Sequence, residues 1–155
     1  ASLEARLDAA CRAAEAGFAV AFHFDPIIRV GAWRELYEKV VRKLAPFRSR
    51  EVAWISLGTV RFTRALREKI EDRPYLYDEF FPSRDGKLRY LQKERVEVYR
   101  TMGRWIEEHL GAPVYLCMES PTVWRRAFGG EPTELSREVR ELFRWPAGVP
   151  EEERR

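Results

Sequence analysis

Apolar residues recur along this chain in two rhythms, and the switches between them mark its elements. Leu3, Leu7, Ala10, Cys11 and Ala14 repeat every three or four positions, which predicts a helix capped by Ser2 and ended at Gly17. Phe18 to Phe24 (FAVAFHF) is apolar on both alternate faces, as expected of a parallel strand covered on both sides. That strand presents His23 and Asp25 at its carboxyl end, where Pro26 is expected to stop the ladder. Trp33, Leu36, Tyr37, Val40, Val41 and Leu44 then form a second helical face, closed by Pro46.

The pattern repeats. Glu51 to Leu57 reads as a second strand ending in Gly58 and Thr59, followed after Thr63 by a shorter helix with Leu66 and Ile70 inward. Arg73 to Tyr90 is an irregular arm in which Asp85-Gly86 predicts a hairpin or turn. Gln92 to His109 predicts a long helix with Val96, Tyr99, Met102 and Ile106 on one side. Val114 to Met118 predicts a third strand that ends in Glu119, Ser120 and Pro121, with Ser120 as cap of a helix and Pro121 at its first position. Two helices follow, around Val123 to Phe128 and over Thr133 to Phe143.

Alternating helices and strands imply an α/β fold with parallel strands and right-handed helical crossovers. Three strands do not close a barrel, and the order begins inside a β/α unit. The expectation is therefore the later half of a partial, TIM-like β/α barrel, one domain over residues 1–150 with 151–155 as a frayed tail. A chain of 155 residues, 45% hydrophobic, is sized for one core. Its 28 Lys+Arg against 25 Asp+Glu make a net charge of only +3, too weak a field to argue nucleic acid by itself. No apolar run approaches the ~20 residues of a membrane span, no signal peptide opens the chain, and two cysteines make no disulfide framework, which together predict a cytoplasmic protein.

In parallel α/β folds, chemistry sits at the carboxyl ends of the strands. That places His23, Asp25, Gly58, Thr59 and Glu119 at one mouth. His23 and Asp25 share a strand face, as two metal ligands could, but His109 is the only other imidazole and falls at the end of a remote helix, so no metal site is assigned. Cys11 and Cys117 read as packed core thiols. In the arm, Arg84, Lys87 and Arg89 stand beside Phe80, Phe81 and Tyr90, a pairing of cations and aromatics suited to phosphate contact and base stacking.

The blocks Phe22-His23-Phe24-Asp25-Pro26-Ile27-Ile28 with Trp33 and Tyr37, Ile55-Ser56-Leu57-Gly58-Thr59 with Arg61-Phe62, Asp85-Gly86-Lys87-Leu88-Arg89-Tyr90, Arg95, Tyr99, and Val114 to Pro121 followed by Val123-Trp124 occur in order. Together they resemble the spore photoproduct lyase family of radical S-adenosylmethionine (SAM) enzymes, from about Ser2 to Phe128. The resemblance implies a partial β/α barrel holding a 4Fe–4S cluster that cleaves SAM to a 5′-deoxyadenosyl radical, and a DNA repair lyase that reverts a thymine dimer lesion. It implies that His23, Asp25, Gly58, Thr59 and Glu119 face the cofactor, with Gly58 letting backbone approach the adenine. It also implies that Arg84, Lys87, Arg89 and Tyr90 meet DNA. The cluster requires three thiolates at Cys-x-x-x-Cys-x-x-Cys spacing, which Cys11 and Cys117 do not supply. The family carries that motif in the preceding half of the barrel, so this chain is expected to lack a cluster and to be inactive alone, its partners being that missing half and DNA. Two other classes stay open: a metal-dependent β/α-barrel hydrolase, and a non-catalytic module pairing its open sheet edge with a partner.

Overall fold

The computed structural model describes residues 1–47, 52–70, 73 and 78–130. Helix α1 (Leu3–Glu15) is capped by Ser2, whose hydroxyl accepts from the Ala5 amide at 3.1 Å. Strand β1 (Val20–Ile27) leads into α2 (Trp33–Lys43) and then β2 (Val52–Thr59). Strand β3 (Arg61–Thr63), helix α3 (Arg64–Lys69) and strands β4 (Phe81–Pro82) and β5 (Lys87–Arg89) follow. Helix α4 (Gln92–His109), strand β6 (Val114–Leu116) and helix α5 (Pro121–Phe128) complete the described elements. The expected helix over 133–143, the tail 151–155, Glu51, and Pro74, Tyr75 and Tyr77 of the arm lie outside the described residues.

β1, β2 and β6 form a parallel sheet in that order, with His23 opposite Ser56 and Ser56 opposite Tyr115. Phe22, Phe24, Ile55, Leu57, Val114 and Leu116 pack with α2, α4 and α5 into the main core, around the fully buried Val41, Tyr99, Met102 and Ile106. Side-chain alternation along the strands therefore turns His23, Asp25, Ser56, Gly58 and Cys117 to the opposite face. Ser120 accepts from Val123 N at 3.4 Å and Pro121 opens α5, as the sequence predicts.

Four expectations change. Phe18 is 69% exposed and precedes β1, whose residues are mostly half-buried, because β1 is the edge of the described sheet and has no strand on its far side. Pro26 does not end the ladder: the register shifts after Phe24 and resumes with Ile27 opposite Thr59. Proline is tolerated there because an irregular, edge position asks no donor of it. Leu36, 57% exposed, falls outside the Trp33–Tyr37–Val41–Leu44 stripe, and Leu66 of α3 is 45% exposed while Ile70 packs inward.

The described part of the arm, 78–90, supplies two strands that join β3 in a second sheet. β3, β5 and β4 pair antiparallel, and β4–β5 is the hairpin foreshadowed by Asp85-Gly86, with Gly86 at φ 77°. A small core of Val60, Phe62, Leu88 and Tyr90 lies beneath it. Phe80 stacks on Tyr90 at 4.8 Å between centroids and meets Phe62 edge-on at 4.7 Å. Three-residue strands carry too little alternation for the sequence to announce them.

Candidate functional site at the carboxyl ends of the strands

Parallel strands end on one side, and Asp25, Gly58, Thr59, Cys117 and Glu119 accordingly gather at the carboxyl ends of β1, β2 and β6. Two hydrogen-bonded groups occupy this mouth. In the first, Arg61 donates from Nη1 to Asp25 Oδ1 at 2.8 Å and from Nη2 to Asp25 Oδ2 at 3.0 Å, a fork-to-fork pair with side chains 17% and 20% exposed. Arg61 Nη2 also lies 3.5 Å from Cys117 Sγ, and Nη1 3.4 Å from the Thr59 carbonyl. Gly58 makes room for this arrangement: a Cβ there would stand 2.6 Å from Asp25 Cγ. Its missing side chain thus serves the Asp25 carboxylate.

The second group reaches into the core. Tyr99, fully buried on α4, donates to Glu119 Oε1 at 2.8 Å and accepts from the Thr59 amide at 3.1 Å. Arg95 donates from Nε to the same Glu119 oxygen at 2.9 Å and from Nη1 to the Tyr90 carbonyl at 2.5 Å. Glu119, its side chain 4% exposed, therefore ties together the ends of β2, β5 and β6.

These contacts set the acidities. Burial alone would raise the Asp25 carboxyl, but hydrogen bonds from Arg61 and Cys117, with the Arg61 charge, outweigh it and hold Asp25 below the usual carboxylate value. The bond to Asp25 pushes Arg61 up. Burial, then the Asp25 acceptor, raises the Cys117 thiol, so it is a weak nucleophile at neutral pH. Tyr99 is raised by burial and by the Glu119 charge.

His23 is exposed on β1, two residues before Asp25 on the same face, and borders a groove of about 640 Å³ along the free edge of β1 that includes Leu7, Phe22 and Val40. The sequence reading of the arm needs correction at two residues. Tyr90 is completely buried, stacked by Phe80, and its hydroxyl accepts from the Arg29 amide at 3.1 Å, so it has no face for a base; burial pushes it up to about 12. Arg89, 7% exposed, spends its guanidinium on Asp85 at 2.5 and 2.8 Å. Both are interior because the arm needed its own core. Arg84 is exposed, and Lys87 has no ion-pair partner among the described residues. The sequence alone does not point to Arg61, Arg95 and Tyr99 as site residues: Tyr99 fits a plain apolar helix face, and Arg61 stands within an ordinary run of surface charge. Among the described residues no group of three or more His, Cys, Asp or Glu is placed to hold a metal ion, and no helix is long and apolar enough to cross a membrane.

The family model of spore photoproduct lyase matches residues 1–108. This chain belongs to the spore photoproduct lyase family. Among solved structures it is similar to spore photoproduct lyase complexed with dinucleoside spore photoproduct, at 28% identity and a TM-score of 0.62, over 76% of this chain and 39% of that one. A variant of spore photoproduct lyase with bound AdoMet (SAM) and dinucleoside spore photoproduct matches at 25% identity and a TM-score of 0.59, over 75% of this chain and 38% of that one. The chain thus spans about two fifths of the length of these lyase structures. No curated protein sequence matches it.

Proposed function

We propose that this chain forms the later half of a partial β/α barrel in a radical SAM lyase that repairs a lesion in DNA, and that its strand-end mouth faces cofactor and lesion. The observation that supports this most is that the spore photoproduct lyase match runs through β1, β2 and most of α4, whose side chains build the mouth.

The residues present fit SAM in part. Asp25 and Glu119 already have hydrogen-bonded partners within the chain, so they hold the mouth in shape from behind. The exposed His23 is what remains to meet an adenosyl group, since Thr59 already gives its amide to Tyr99 and its carbonyl to Arg61, and Gly58 is buried against Asp25. When bound, SAM would supply the radical chemistry. The chain orients it and, with the Arg61–Asp25 pair already neutralised, offers a site of no net charge. The 4Fe–4S cluster does not fit these residues: Cys11 stands in α1 and Cys117 beyond β6, and both are free thiols in separate elements. Barrel residues outside this chain would hold it, joining along the unpaired edge of β1 and its apolar groove. DNA would approach over the hairpin, with Arg84 and Lys87 meeting phosphates.

The test is made on the longest polypeptide that contains this chain. Reconstituted anaerobically, it should hold iron and sulfide, cleave SAM under reducing conditions and revert dinucleoside spore photoproduct to two thymidines. A cluster-loaded protein that cleaves SAM but leaves the photoproduct intact would remove the substrate assignment, and one that binds no SAM would remove the whole reading.

A further inference from the structure

A cleft of about 310 Å³ opens beside the mouth, with Asp25, Arg61, Leu66, Lys87 and Met118 in its walls. Three observations set it apart from ordinary surface. Met118 and Leu66, 57% and 45% exposed, are two of the six large apolar side chains left in water among the described residues, and both line this one cleft. Scattered exposed apolar residues are ordinary; these two share one concavity, which gives it apolar walls open to solvent. Met118 is also the one non-glycine described residue at positive φ, 53°, a conformation costing about 1–2 kcal/mol that displays the side chain beside Cys117 and Glu119. Finally, Arg61 is paired with Asp25, which leaves Lys87, with no ion pair among the described residues and only the Asp85 charge acting on it from a distance, as the cation the cleft has to offer.

Apolar walls with one positive charge suit a flat, weakly polar ring joined to one anion. The volume lies at the bottom of the ~300–1,000 Å³ range of small-molecule sites, room for one ring system rather than for a dinucleoside. We propose that this cleft is a subsite for one unstacked nucleotide next to the lesion, its base held between Met118 and Leu66 and its phosphodiester met by Lys87. The proposal rests on the reading of the mouth as a DNA site. It moves base contact from the buried Tyr90 to side chains that are open to solvent. Without an aromatic platform or a base-edge partner set, the subsite accepts any base.

The experiment is fluorescence anisotropy of this chain with a labelled octathymidylate, an abasic octamer of equal charge, and unlabelled thymidine monophosphate as competitor. Met118→Gly suits the observed φ and keeps the backbone, so it removes the apolar wall without a folding penalty. It should weaken octathymidylate binding about fivefold, the low end of what losing a base-contacting side chain costs, while wild type and variant bind the abasic octamer alike. Lys87→Ala should reduce the salt slope by about 0.7, one phosphate on a single strand. Met118→Gly binding octathymidylate as tightly as wild type overturns the subsite and leaves the DNA reading of the mouth standing. A response to Met118→Gly seen only with the mononucleotide also overturns it. A wild-type chain that binds no octamer overturns both.

Discussion

Asp25 gives both carboxylate oxygens to one guanidinium, and the consequences can be measured one residue at a time. Asp25→Asn leaves Arg61 half-buried without its charge partner and should cost about 1–3 kcal/mol at pH 7 in urea unfolding. Because the folded-state pKa of Asp25 is lowered, this contribution is fully present above the unfolded value near ~3.9 and is lost as pH falls through the folded one. The gap between wild type and variant should therefore close below about pH 4; a gap constant down to pH 2 would contradict the pairing. The same substitution relieves Cys117 of a carboxylate neighbour while leaving the Arg61 cation beside it. Burial still raises the thiol, but alkylation by iodoacetamide at pH 8, in a Cys11→Ser background, should be faster than in the parent. Gly58→Ala drives a methyl into the Asp25 carboxylate and should cost about 1–3 kcal/mol. In an Asp25→Gly background that cost should vanish, since the obstacle has gone; a cost that persists there would place the conflict elsewhere.

At the scale of elements, glycine in α4 runs against helix propensity for a visible reason. A Cβ on Gly103 would stand 2.6 Å from the Phe128 ring of α5, so the missing side chain lets the two helices approach. Gly103→Ala should destabilise the wild-type chain, yet stabilise a Phe128→Ala variant by about 1 kcal/mol, the ordinary helical gain. Thermal unfolding of the four proteins decides it; a stabilised single variant would show that Phe128 swings aside freely. In the hairpin, the two arginines separate. Arg84→Ala should leave stability unchanged and flatten the salt dependence of single-stranded DNA binding by about 0.7. Arg89→Ala, which removes the partner of Asp85 from the small core, should lower stability by about 1–3 kcal/mol with no change in that slope. Equal slopes for Arg84→Ala and wild type would take Arg84 out of the DNA contact.

For the molecule as a whole, protection is set by position in the sheet. β2 is paired on both sides and carries Ile55, Ser56 and Leu57 fully buried, whereas β1 is paired on one side only. Native-state hydrogen exchange should find the amides of β2 among the slowest and those of β1 that face the free edge exchanging much sooner. If, as proposed, a polypeptide carrying further strands joins at that edge, the β1 amides should be the ones whose protection rises most. Uniform protection across both strands of the chain alone would mean that the β1 edge is already covered.

The order of helices and parallel strands was legible from the chain because each element leaves a periodic trace several residues long, as do Leu3 to Ala14, Val52 to Leu57 and Gln92 to His109. So was the side of the sheet on which the strand ends gather, since parallel strands of any identity end together, and the family match runs through the blocks around His23 and Gly58. What the side chains do there was decided by tertiary structure. Asp25 reads as a free carboxylate at a strand end until Arg61, 36 residues later, meets it. Tyr99 reads as core until its hydroxyl finds Thr59 and Glu119, and Tyr90 and Arg89 read as surface until a second sheet encloses them. Periodicity reports which face of an element is buried. Only the packed chain determines which polar atoms are within hydrogen-bonding distance, because those partners come from segments far apart in sequence.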